Sequence, residues 1–274
     1  MELLSLILSG LLTLISPLGL AIDSAAERSI RARINSAEAL EVRLDNIPSY
    51  QLLGGKISKL RLAARGLYVT PDFRIDTLEL ETDPLDVDIN RLQQQSETSL
   101  SQLLRQPLRG AMRLRITQAD ANQALRSPAV LEYIRQIGPN LTADSSEAAQ
   151  RLAQRYQIIN PKVEFLPDDR LRLAAEIEDR RENKTLKVIL ESGFTLAGGR
   201  QLQLVQPRIF YGDKQVPQRL LDRLAENLTN RLDIQKFETE GLTARVLQLH
   251  ITEDRIEIVA WVRLAAPEQA TAAR

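Results

Sequence analysis

The chain has no cysteine among its 274 residues. That excludes disulfides, thiolate nucleophiles and zinc–thiolate centres, and it fits any redox compartment. Histidine occurs once, as His250. It lies on the polar parity of an alternating segment beside Gln248 and Thr252, where a lone histidine reads as a solvated surface group rather than as the base of a Ser-His-acid set. Aromatic residues make up only 4% of the chain, too few for the stacking platforms that bind bases or sugars. Thirty-six basic residues balance thirty-six acidic ones, so no global field draws in nucleic acid. No Gly-x-Ser-x-Gly elbow, Walker loop or dinucleotide fingerprint occurs, and no catalytic residue or cofactor is expected.

What the chain does have is aliphatic residues in ordered patterns. Leu3 to Ile22 carries no charge and is about as long as a bilayer core is thick, with interruptions at Ser16-Pro17 and Gly19. It lacks the basic start of an export signal, although Gly19-Leu20-Ala21 offers small residues at cleavage spacing. Cleaved signal, retained anchor and buried core helix all stay open. Asp23 to Ala39 then has helical spacing through Ile22, Ala26, Ile30 and Ile34.

Strand patterns dominate from Leu40 to Leu92. Leu60 and Leu62 alternate with Lys59, Arg61 and Arg65. Leu78, Leu80 and Thr82 alternate with Glu79, Glu81 and Asp83, and Leu85, Val87 and Ile89 with Asp86, Asp88 and Asn90. Successive side chains on a strand point to opposite faces, so each run predicts one dry and one wet face. The parity changes at Asp83-Pro84, where proline suits an edge, bend or bulge. The acids of the wet face could hold calcium or act as a glycosidase pair, but their spacing matches no calcium loop, and period-two acids are what a solvated strand face looks like.

Further along, Ala111–Thr117 reads as a strand. Thr117 is placed to cap a helix over Gln118–Leu125 with Asp120 as its partner, and Pro128 to open a second helix ending at Ile137. A third helix is expected from Asp144 or Ser145, with Ala148, Leu152 and Tyr156 on one side. The second half is mostly strand. Leu171, Leu173, Ala175 and Ile177 form one alternating run; Leu186, Val188 and Leu190 form another; Ile256, Ile258, Ala260, Val262 and Leu264 close the pattern, with Trp261 opposite. Between them, Pro217 to Arg231 predicts an amphipathic helix whose stripe is Leu220, Leu221, Leu224, Ala225 and Leu228. Gly55 to Leu62 and Gly241 to Leu249 echo each other, each followed by an Arg-Ile-acid strand, which suggests two related halves; independent alternating strands would look similar.

Several motifs together carry a resemblance. They are Asp45-Asn46-Ile47-Pro48-Ser49-Tyr50-Gln51, Gly55-Lys56, Ala64-Arg65-Gly66-Leu67, the run from Arg74 to Pro84, Leu202-Gln203-Leu204, Asn230-Arg231-Leu232-Asp233 and Glu240-Gly241-Leu242-Thr243-Ala244-Arg245. With them the chain resembles the bacterial LmeA-like family over nearly its whole length after the leader. The resemblance implies a phospholipid-binding protein of the cell envelope, with one family member tied to lipoglycan assembly, and it brings no catalytic motif.

The expected fold is α+β, with curved antiparallel sheets wrapping amphipathic helices in the manner of tubular lipid-binding domains. The alternative is a packed β-sandwich with helical insertions. The expected organisation is a leader over 1–22, one domain over 23–264 and a disordered tail over 265–274. The expected function is non-catalytic binding of phospholipid or another acyl-chain lipid at a membrane, on the periplasmic side of the envelope. The expected lining is Leu60, Leu62, Leu78, Leu80, Leu220, Leu221, Leu224 and Leu228. A membrane-tethered scaffold that binds a protein and no lipid, and an accessory or enzyme of envelope glycolipid synthesis, are the competing readings.

Overall fold

A computed structural model describes residues 36–45, 51, 54–88, 100–137, 155–182, 184–212, 214–217, 221 and 241–266. The protein is built mainly of antiparallel sheet. The chain divides into two compact units, Met1–Leu114 with Gln235–Leu247 and Ile258–Arg274, and Arg115–Ile234 with Gln248–Glu257.

In the first unit, β1 (Ser36–Asp45), β3 (Lys59–Thr70) and β4 (Phe73–Thr82) pair as successive antiparallel neighbours. They begin a six-stranded sheet of order β1-β3-β4-β6-β13-β12, completed by β6 (Leu108–Thr117), β12 (Leu242–Ile251) and β13 (Arg255–Leu264). These last three strands contribute residues to both units. Register explains the dry face. Val42 pairs with Leu62 and Leu62 with Leu80, while Arg43 pairs with Arg61 and Arg61 with Glu81. Directly paired residues share a face, so the aliphatic row packs inward and the charged row faces water. Leu60, Leu62, Leu78 and Leu80 are all buried, and they join Leu40, Ile75, Leu103, Leu104 and Leu108 in one core cluster.

Gly66 is fixed by a close approach. Its φ is 56°, and an added Cβ would run into the side chain of Glu38. The Glu38 carboxylate accepts from Arg74 at 2.8 Å there. At Asp83-Pro84 the chain leaves the large sheet. β5 (Leu85–Asp86) pairs instead with β2 (Lys56–Ile57), and Val87 forms a bridge with Leu104 just after the short helix α1 (Leu100–Leu103). The expected parity change is thus a change of sheet, and the strand expected to reach Ile89 is shorter.

In the second unit, β7 (Tyr156–Leu166), β8 (Arg170–Asp179), β9 (Lys184–Ala197), β10 (Gln201–Tyr211) and β11 (Lys214–Gln215) form a five-stranded antiparallel sheet of order β11-β10-β9-β8-β7. Two strands are interrupted at a residue before proline. Asn160, ahead of Pro161, has φ 51°, and Gln206, ahead of Pro207, has φ 48°; register shifts fall at both places. Such bulges bend a strand and increase its twist, so they curve this sheet. At the second bulge the buried Ser192 hydroxyl donates to the Gly193 carbonyl at 2.8 Å and lies 3.3 Å from the Val205 carbonyl.

The expected cap is present. Thr117 Oγ1 accepts from the Asp120 N–H at the start of α2 (Gln118–Leu125) and donates to Asp120 Oδ2 at 2.6 Å. The next helix, α3 (Pro128–Ile137), has the expected bounds.

Two helix boundaries are corrected. Ser36 to Ala39 belong to β1 and not to a helix, because their backbone pairs with β3 through Ala37↔Leu67 and Ala39↔Arg65. Tyr156 opens β7, paired with Asp179, and is not on a helix face. Ala265 donates to the Gly241 carbonyl at 2.8 Å and Ala266 packs on the core cluster. The leader, the body of the Asp23 helix, residues 138–154, most of the Pro217–Arg231 helix and residues 267–274 lie outside the described residues. Among the described residues, no helix is long and apolar enough to cross a membrane.

Candidate functional site

The five-stranded sheet carries a ladder of aliphatic residues on one face. Val163 pairs with Leu173, Leu173 with Leu190 and Leu190 with Ile209. A second row runs Ile158, Ile177 and Leu186, and a third Ala175, Val188 and Tyr211. This face is unevenly covered. At one end, Val163 and Phe165 are buried with Ala121 and Leu125 of α2 and with Ile251. Away from that end, Leu173 is 37% exposed and Tyr211 53% exposed, and Ile177, Leu186, Val188, Leu190 and Ile209 are half-buried.

Polar groups fix the two margins of this surface. β7 is an edge strand, and unpaired edge groups cost stability unless they find partners. Here α2 supplies them. Asn122 accepts from the Val163 N–H at 2.9 Å and donates to the Val163 carbonyl at 2.8 Å, while Gln118 Oε1 accepts from the Phe165 N–H at 2.6 Å. At the far end of the ladder lies Asp179, buried, which accepts from the Arg155 guanidinium at 2.5 and 2.8 Å and from the backbone N–H groups of Arg181 and Glu182. The Arg155 bonds, reinforced by those N–H groups and opposed by burial, pull the Asp179 carboxyl down to about 2. Arg155 also bonds Glu182 at 3.1 Å and stacks 5.2 Å above the ring of Tyr156. The apolar rows therefore end at a charged, hydrogen-bonded rim.

The residues expected to line a lipid site fall into two groups. Leu60, Leu62, Leu78 and Leu80 sit together in the closed core of the first unit at 0–4% exposure. Leu221 is buried and helical, its N–H 3.4 Å from the Pro217 carbonyl; Leu220, Leu224 and Leu228 lie outside the described residues. The half-open ladder of β8 and β9 was legible as alternation, but its exposure was not. A signal that pointed to the curvature was available in Asn160-Pro161 and Gln206-Pro207, prolines inside otherwise regular strands.

Other candidates are occupied by local partners. Glu81 is paired with Lys59 at 2.5 Å and Arg61 at 3.1 Å; its carboxyl is lowered chiefly by the Lys59 hydrogen bond, against burial. Glu79 lies 3.8 Å from Arg113, and Asp86 and Asp88 lie 3.5 and 3.6 Å from Arg105. No group of acids or histidine that could hold a metal ion occurs among the described residues. His250 Nδ1 lies 3.0 Å from Asp169 Oδ1, which also accepts from the Ile251 N–H at 2.7 Å. This pairing ties a strand end to the β7–β8 turn, where Asp168 and Asp169 both have positive φ.

No curated protein and no solved structure matches the chain. A protein-family model does, over residues 14–260, and it describes phospholipid binding rather than an enzyme. That match covers most of the chain, and with it the chain belongs to the LmeA-like phospholipid-binding family.

Proposed function

We propose that the protein binds a phospholipid without catalysis, holding acyl chains against the half-open aliphatic face of β8 and β9. The observation that carries this reading is the ladder Val163–Leu173–Leu190–Ile209, apolar across four strands yet with Leu173 37% exposed. Apolar area removed from water contributes about 25 cal/mol per Å², so acyl chains that cover the face gain what water cannot supply. The Arg155–Asp179 rim meets the polar head group. Amphipathic helices complete the enclosure, as in tubular lipid-binding domains, and the Pro217–Arg231 stripe with Leu220, Leu221, Leu224 and Leu228 is assigned to that role. Leu60, Leu62, Leu78 and Leu80 would meet a chain only if their cluster opened.

Binding is placed at a bacterial membrane surface on the envelope side, with Leu3 to Ile22 as the membrane-directing segment by virtue of its apolar length. Native mass spectrometry of the full chain, followed by uptake of a pyrene-labelled phosphatidylethanolamine, tests the reading. A co-purifying lipid mass and saturable uptake that Leu173→Asp abolishes are the expected results. An empty protein whose uptake is the same with and without that substitution would overturn it and favour a scaffold.

A further inference from the structure

The opposite face of the same five-stranded sheet holds a cavity of about 510 Å³. Its middle row runs Lys162, Ala174, Ile189 and Phe210 in register across β7 to β10. Ala174 presents only a methyl group between larger neighbours, which is why the sheet surface is hollow there. Ile189 and Phe210 continue the hollow as an apolar floor. The adjoining row is Glu164, Arg172 and Glu191, and its acids are already neutralised. Arg172 bonds Glu164 at 2.8 Å and Glu191 at 3.2 Å, and Arg170 bonds Glu191 at 2.9 Å. On the other side Lys187 pairs in register with Glu176, whose carboxylate accepts from Asn160 Nδ2 at 3.0 Å.

Two cations of the cavity are left over. Among the described residues, neither the Lys162 nor the Lys187 ammonium has a hydrogen bond or ion pair. They rise from β7 and β9, which flank β8, and are offset by two residues along the strands, so their Cα atoms stand about 12 Å apart. Their long side chains can converge above the Ala174 methyl. An ammonium is a compact point charge with three donors, suited to an anionic oxygen.

We propose that this cavity is a second binding site, for a small soluble amphiphilic anion. The anionic group, a phosphate or carboxylate, lies between Lys162 and Lys187, and a planar apolar body rests on Ala174, Ile189 and Phe210. The site is independent of the lipid reading, because Leu173 and Ala174 are consecutive residues of one strand and face opposite sides of the sheet.

Calorimetric titration of the full chain with 1-naphthyl phosphate tests the proposal. A saturable one-site isotherm is expected, weakened at least tenfold in the double variant Lys162→Ala/Lys187→Ala and at least tenfold for uncharged 1-naphthol on the unaltered protein. Ala174→Trp fills the hollow and should abolish binding; its thermal transition reports whether it folds, and the double lysine variant stands as the test if it does not. Absence of saturable binding, equal affinity for 1-naphthol, or unchanged affinity in the lysine variant would each overturn the site. So would binding of phosphatidic acid vesicles without binding of 1-naphthyl phosphate, since that is a surface contact with lipid. Loss of lipid uptake in Leu173→Asp with 1-naphthyl phosphate binding retained is the pattern expected if both readings hold. Lipid uptake absent from the unaltered protein, with the naphthyl phosphate isotherm intact, would remove the lipid reading alone.

Discussion

The β3–β4 hairpin and the β8–β9 hairpin follow the same alternation and end in different environments. In the first, Leu60, Leu62, Leu78 and Leu80 are buried to 0–4% exposure within one contiguous cluster. In the second, Leu173 is 37% exposed, and Leu186, Val188 and Leu190 are only half-buried. A dry face in the pattern states that side chains avoid water; it does not state what covers them. The closed face holds the first unit together, whereas the half-open face leaves apolar surface in contact with water.

The comparison predicts its largest effect at Leu60. Leu60→Asp places a carboxylate where nothing can pair with it, and about 3–5 kcal/mol of stability should be lost in chemical denaturation. Leu173→Asp should cost less than about 1 kcal/mol while abolishing lipid uptake, because the new charge reaches water. Equal destabilisation by the two would show that the second face is as closed as the first.

A smaller loss tests what holds the open face in place. Asn122→Ala removes the partners of both backbone groups of Val163, so about 1–3 kcal/mol should be lost and hydrogen exchange at Val163 should quicken. A neutral result would mean that water replaces the amide without penalty and that the edge of β7 does not depend on α2.

Acid titration probes the charged rim. The folded-state pKa of Asp179 is depressed to about 2 from its ordinary value near 3.8. The stabilisation it gives is therefore complete above about pH 4 and is lost as pH falls through about 2. Thermal melts of Asp179→Asn across that window should lack part of the wild-type decline, and identical profiles would show that the Arg155 pairing does not couple to folding.

The smallest effect belongs to the wet face of the closed hairpin. Glu79 faces Arg113 at 3.8 Å with half its side chain exposed. Glu79→Gln should change stability by less than about 0.5 kcal/mol. A larger loss would mark the wet face as part of the core's support.

The amino-acid order alone determined which residues face apart along each strand, because alternation is a local consequence of backbone geometry. It also determined the helix start at Thr117, where cap and partner lie three residues apart, and the departure of the chain at Asp83-Pro84. The family resemblance was legible in short motifs spread along the chain. Tertiary structure decided matters that depend on residues distant in sequence. Ser36 to Ala39 were drawn into β1 by pairing with β3, overriding their local helical spacing. Leu60 and Leu173 look alike in a strand pattern, yet one is buried in a cluster that includes Leu40, Leu103 and Leu108 and the other is left half open. Lys162 and Lys187 were brought to one hollow by a register that spans three strands. Pairing partners and coverage are long-range properties, and neither is encoded in the period of a single segment.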